Sequence, residues 1–195
     1  MRKKILTLAS VLAFCFTAYT QPCKTKQTET DPISDDVTTI VKPGATSDYL
    51  REDSVKVLNR AVDVTFKSKK YKNKDSVYFF IILNLRYQRS TDFYYATDPE
   101  MTVNISFNDG YEIRTAPIRQ FYDTKVTDIQ KNAISFECRL MRKDIQHFAD
   151  NYNFSVKFNI KEKKKNKTDI AIKTFSFTNN LALDKISARA KCLLQ

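Results

Sequence analysis

Two runs of lysine are the densest chemistry in this sequence. Lys67, Lys69, Lys70, Lys72 and Lys74 lie between the apolar runs that end near Phe66 and start near Val77. Lys161, Lys163, Lys164, Lys165 and Lys167, with Glu162 among them, lie between those that end near Ile160 and start near Ile170. At two hairpin tips on the same end of a fold, these side chains would form a cationic patch for an anionic surface such as lipopolysaccharide, acidic glycan or phospholipid headgroups. The competing reading is solubility, since lysine on loops and strand edges discourages edge-to-edge pairing. Phe93, Tyr94 and Tyr95, flanked by Thr91, Asp92, Thr97 and Asp98, form the most aromatic loop-like stretch. As an exposed platform they would stack on a sugar ring while the aspartates accept its hydroxyl hydrogen bonds; otherwise the rings pack on the core.

Catalytic chemistry has few handles. His147 is the one histidine in the chain and Cys-x-x-Cys is missing, so neither a zinc-type metal site nor a cofactor is expected. There is no Gly-x-Ser-x-Gly elbow for a nucleophilic serine. A glycan hydrolase needs two carboxylates at a suitable separation, and Asp92, Asp98, Glu100 and Asp109 are the candidates in a chain with 22 acids. With 2 glycines and no tryptophan, phosphate-cradling loops are disfavoured and any stacking platform must use tyrosine.

The first 20 residues give an address. Arg2, Lys3 and Lys4 followed by the apolar run from Ile5 to Ala18 resemble a bacterial export signal, too short to span a bilayer with margin. Ala18 and Thr20 place cleavage before Gln21. Phe14 before Cys15 and Pro22 before Cys23 fit a lipoprotein signal poorly, so the expected product is soluble rather than lipid-anchored. The resemblance implies an exported protein, periplasmic or outer-membrane associated, in a Gram-negative bacterium, with no transmembrane span in the mature chain and no nucleic acid as partner. Cleavage removes Arg2, Lys3 and Lys4 and no acid, lowering the formal charge from +11 by those three. Cys23, Cys138 and Cys192 then remain, an odd set. Cys138 alternates in phase with Ile134, Phe136 and Leu140 and reads as a small buried hydrophobe. Cys23 and Cys192 are the candidate disulfide tying the termini together; free or intermolecular thiols are the alternative.

The elements follow from periodicity. Residues 21–48, rich in Thr, Lys, Asp, Pro and Ser, read as a flexible leader, and 49–195 as one domain. Met101 to Phe107 alternates apolar and polar without a slip, then Asn108-Asp109-Gly110 supplies a tight turn before Tyr111 and Ile113. Further strands run through Val62–Phe66, Ile134–Leu140 and Phe154–Ile160, with a doubly covered central strand at Val77–Leu85. The change of parity between Ile170, Ile172 and Phe175, Phe177 predicts a bulge. Met141, Ile145, Phe148 and Ala149 define a short crossover helix, and Leu183, Ile186, Ala190 and Leu193 a C-terminal one. The fold class is all-β, an antiparallel immunoglobulin-like β-sandwich with these two helices; a closed barrel is the alternative. The expected function is a non-enzymatic binding or assembly module of the cell envelope, contacting an envelope protein or an anionic glycan or lipid surface. The alternatives are a periplasmic glycan-active hydrolase and a subunit of a surface or secretion assembly.

Overall fold

A computed structural model of the chain describes residues 23–53, 55–88, 93–96, 101–123, 131–164, 170–180 and 185–195, with backbone alone at 56–60, 86–88, 93–96, 120–123, 131–134, 162–164 and 170. Residues 1–20, expected as an export signal, lie outside the described residues. What is described is mostly antiparallel β-structure with two short helices. In chain order the strands are β1 (Lys26–Thr30), β2 (Val37–Val41), β3 (Gly44–Glu52), β4 (Val55–Lys70), β5 (Val77–Gln88), β6 (Phe93–Ala96), β7 (Val103–Phe107), β8 (Glu112–Thr115), β9 (Pro117–Asp123), β10 (Lys131–Leu140), β11 (Phe154–Lys164) and β12 (Ile170–Asn179). Helix α1 (Arg142–Asp150) connects β10 to β11, and α2 (Lys185–Leu194) follows β12.

Hydrogen bonding joins these strands in one sheet of order β8-β7-β11-β12-β3-β4-β5-β10-β9, with β2 beside β4, β1 beside β2 and β6 beside β11. The two ends of that order are consecutive in the chain. Ala116 alone separates β8 from β9, so one bent strand pairs first with β7 and then with β10. Across the remaining gap Thr115 Oγ1 donates to Arg139 O at 3.0 Å. A strand that switches sides in this way curls the sheet on itself, so it is nearly barrel-shaped and does not divide into the two sheets of the expected sandwich.

The interior is filled from alternate positions. Val62, Val64 and Phe66 of β4, Ile81, Leu83 and Leu85 of β5, Phe136 and Cys138 of β10, and Val156 and Phe158 of β11 are all buried. Strand β5 is central, paired on one side with β4 and on the other with β10. From α1, Phe148 closes one end of the sheet, its ring centroid 5.2 Å from Phe66, 5.0 Å from Phe107 and 5.1 Å from Phe154. Helix α2 buries Ile186, Ala190 and Leu193. Gly44 sits where a Cβ would come within 3.2 Å of Ile186 Cγ1, so strand and helix approach closely at that point.

Two details differ from expectation. Residues 26–48, expected as a flexible leader, hold β1, β2 and the start of β3. Val37, Thr39 and Val41 share one face, with Thr39 and Val41 buried, so β-branched residues make a strand of a stretch whose composition reads as polar. The bulge expected in β12 is missing, because β11 and β12 pair from Phe154↔Asn179 to Lys163↔Ile170 without a shift. Ile172 instead points outward, 64% exposed. Register shifts occur in β3 against β4 and in β10 against β9.

Cys23 and Cys192 are joined as a disulfide, with Cα atoms 5.6 Å apart and a sequence separation of 169. A loop of that length loses much of its unfolded-state freedom when closed. Replacing both cysteines by serine is expected to lower the unfolding free energy by roughly 2–5 kcal/mol. Urea titrations of the variant and the oxidised parent measure it, and superimposable curves would show that the bridge does not stabilise the fold.

Candidate functional site

Helix α1 is positioned by its pattern. Ile145, Phe148 and Ala149 face the core, and Asp144, at the third helical position, reaches back so that Oδ2 accepts the Met141 N–H at 2.7 Å. Burying Phe148 turns its neighbour His147 toward the β7–β8 hairpin. There Gly110, with φ of 88°, completes the tight turn, and Phe107 N–H donates to Tyr111 O at 2.9 Å. The Tyr111 ring stacks on the imidazole at 4.0 Å with an interplanar angle of 25°. Phe107 meets His147 edge-on at 4.5 Å.

Two carboxylates complete this cluster. Asp109 accepts the Tyr111 N–H at 3.0 Å and lies 3.0 Å from His147 Nε2. These contacts, the backbone N–H first, hold its carboxyl below the ordinary carboxylate range. Tyr111 Oη donates to Asp144 Oδ1 at 2.7 Å, and this bond, with burial, pushes the phenol up to about 12. The hydroxyl is thus directed at Asp144 and away from the imidazole. The geometry clamps hairpin to helix and does not align a nucleophile with a base. His147 is a partly buried member of the clamp.

Beside the clamp runs a groove of about 420 Å³ along the unclosed seam of the sheet, between β8 and the junction of β10 with α1. Ile113, Leu140 and Met141 give it apolar surface, and Arg114, Arg139 and Lys143 bring positive charge; Glu112 lies 3.6 Å from Arg114, the Arg139 guanidinium lies 4.4 Å from the Tyr78 ring centroid, and Asp144 also lines the groove. The Phe107–Tyr111 hydrogen bond sets the alternation of the β7–β8 ladder. Ile113 and Thr115 also face β7, while the backbone groups of Glu112 and Arg114 face the seam. Among the described residues, the groove therefore combines a strand edge that has no partner strand with a rim of three basic and two acidic side chains. None of these rim residues stood out in the sequence. The usable signal was Asp144 three positions after Met141, read with the Asp109-Gly110-Tyr111 turn.

The lysine runs are not brought together. In the order β11-β12-β3-β4-β5 every neighbour is antiparallel, so the β11–β12 and β4–β5 connections leave opposite ends of the sheet. The shared patch that the sequence suggested requires both at one end. Lys67 and Lys69 lie within β4, where Lys67 pairs with buried Glu137 and its ammonium sits 4.8 Å from the Phe80 ring centroid. Lys69 pairs with Asp36 at 3.0 Å, which lowers the Asp36 pKa and raises that of Lys69. Lys72 pairs with Asp35, Lys74 lies over the rings of Tyr71 and Tyr78, and Lys70 is exposed. Lys163 and Lys164 stand opposite Tyr94 and Phe93 in the β11–β6 ladder, while Lys165 and Lys167 lie outside the described residues. Phe93, Tyr94 and Tyr95 accordingly belong to a strand and not to a loop. Asp92, Asp98 and Glu100 lie outside the described residues. Among the described residues no group of three His, Cys, Asp or Glu is placed to hold a metal ion. Cys138 is buried with a free thiol, which burial pushes up to about 12.

The raised phenol has a measurable consequence. Its stabilisation is fully present below the ordinary tyrosine value near 10 and disappears as pH rises through about 12. Ultraviolet titration should show a late-ionising component that Tyr111→Phe removes, and an unchanged profile would contradict the Tyr111–Asp144 bond. Compared with known proteins, the chain matches no family model, no curated protein sequence and no solved structure.

Proposed function

We propose that this chain is an exported, non-enzymatic binding or assembly module of the Gram-negative cell envelope, and that its binding surface is the seam groove. The observation that carries the reading is the pairing, in one place, of the open β8 edge with the basic side chains Arg114, Arg139 and Lys143. Backbone groups on an open edge recognise another extended chain, and the rim favours one that carries acids. We therefore read the ligand as an acidic segment of an envelope protein, ahead of a glycan or lipid surface. The lysines of the first run support a patch less well, since Glu137, Asp36 and Asp35 neutralise three of them.

Export is supported by the cationic, apolar start and by the disulfide that begins shortly after the expected cleavage point, since such bonds persist outside the reducing cytosol. In this reading the fold works as a flattened, sandwich-like barrel with the seam on one side. Mass spectrometry of the mature protein should find Gln21 at the N-terminus without a lipid; a diacylglyceryl cysteine would replace release with anchoring.

The binding reading is tested by crosslinked affinity capture from envelope extracts. A variant combining Arg114→Glu and Lys143→Glu should lose most of the captured material while its urea midpoint stays unchanged. Equal capture by variant and parent would remove the seam from the reading, and turnover in a broad glycan-substrate screen would replace it with an enzyme.

A further inference from the structure

A second open edge lies at the other margin of the sheet. Among the described strands β1 pairs with β2 alone, through Lys26↔Val41, Thr28↔Thr39 and Thr30↔Val37. The ladder's alternation is fixed at both ends. Lys42 N–H donates to Thr25 O at 2.8 Å and Asp31 N–H to Asp36 O at 2.9 Å, so odd-numbered residues of this segment hydrogen-bond to β2. Lys26, Thr28 and Thr30 direct their backbone groups away from it. Of these, the Lys26 N–H is taken by Cys23 O at 2.9 Å. The disulfide at Cys23 holds the start of this strand against α2, and residues 27 to 30 are exposed.

The sequence of this edge is complementary to itself in one register. Placed antiparallel against a copy with Thr28 opposite Thr28, the strand sets Gln27 against Glu29 and Lys26 against Thr30, and no like charges face each other. The outward groups then match as donors and acceptors. Each Thr28 N–H meets the other Thr28 carbonyl, and each Thr30 N–H meets the other Lys26 carbonyl. Centring on Lys26 sets lysine against lysine. Centring on Glu29 sets glutamate against glutamate. Centring on Thr30 sets Glu29 against Asp31 and brings in Pro32, which has no N–H to offer. Centring on Gln27 moves the outer pairs off the strand into the turn at Lys24.

We propose that β1 is a self-association edge through which two copies of this chain join antiparallel with Thr28 on the two-fold axis, extending one sheet across both. This does not rest on the envelope-binding reading, because the seam and β1 are different edges. A two-fold contact of this kind is isologous and closes at a dimer, so it leaves no edge for further growth there.

The test is site-directed crosslinking of the full mature chain. Thr28→Cys places two thiols opposite each other in a hydrogen-bonded antiparallel pair, where Cα atoms are about 5.5 Å apart and a disulfide fits. Gln27→Cys faces Glu29 of the other copy and is offset from its own equivalent. Under mild oxidation Thr28→Cys should give a covalent dimer at least tenfold faster than Gln27→Cys. Sedimentation of the parent at high concentration should show a dimer that Thr28→Asp, which puts two carboxylates on the axis, shifts to monomer. Equal crosslinking of the two cysteine variants, or a parent that sediments as monomer at every concentration and gives no crosslink at position 28, overturns the proposal. Equal envelope capture by the seam variant and the parent, with dimerisation intact, would count against the seam and leave β1 untouched.

Discussion

The burial of Phe148 is the constraint on which the rest of this structure depends. Its ring is fully buried against Phe66, Phe107 and Phe154, which come from strands far apart in sequence, so one helical side chain closes the end of a curled sheet. Burial of a phenylalanine contributes about 1.5–3 kcal/mol, and its edge-on ring contacts add to that. The geometry of a helix does the remainder. Successive residues are turned by about 100°, so fixing Phe148 inward leaves His147 one orientation, against the turn of the β7–β8 hairpin. Asp144 then lies one turn back, in reach of the Tyr111 hydroxyl. The clamp is a consequence of the core and not an independent arrangement.

The same constraint reaches both chain ends. Ser187 Oγ donates to Ala149 O at 2.6 Å, tying α2 to α1, and Ile186 of α2 packs where Gly44 leaves room. Cys192, on the last turn of α2, is then positioned for Cys23 and hence for β1. A five-residue strand that buries little of its own surface is held by its ladder with β2 and by a covalent bond into the helix layer. Short exposed strands on the margin of a sheet are marginal alone, and here the bridge supplies what the apolar contacts do not.

Much of the fold was legible because alternation is a strong signal wherever one face is buried. The β7–β8 hairpin and the strands through Phe136 and Phe158 follow from it, while the central strand from Val77 follows from an unbroken apolar run and both helices from helical spacing. Beyond those, the reading failed for identifiable reasons. Residues 26–48 were read by composition, which counts Thr as polar, whereas Thr39 and Thr46 are buried in strands. A change of parity at Ile172 was read as a bulge, whereas an isoleucine turned toward solvent explains it without a break in register. The seam groove was invisible because its walls, Arg114 and Arg139, meet only when the sheet curls, and no local pattern encodes closure. The Asp109, Tyr111, Asp144 and His147 cluster was missed for the same reason.

The lysine run of β4 shows why charge read along a strand misleads. Same-face neighbours on one strand are about 6.6 Å apart, while the next strand lies about 4.8 Å away. The electrostatic surroundings of a strand lysine are therefore set by its partners across the sheet. Lys67 crosses Phe80 to reach Glu137 on β10, and Lys69 meets Asp36 beyond the end of β2. A run that looks like a patch in one dimension has two of its three β4 lysines paired with acids in two. At the seam, Arg114 of β8 has its own neighbour Glu112 at 3.6 Å, Arg139 lies over the ring of Tyr78 on the neighbouring strand, and Lys143 stands across the groove. The excess of basic residues in the whole chain says little about where it binds; the break in the hydrogen-bonded ladder says more.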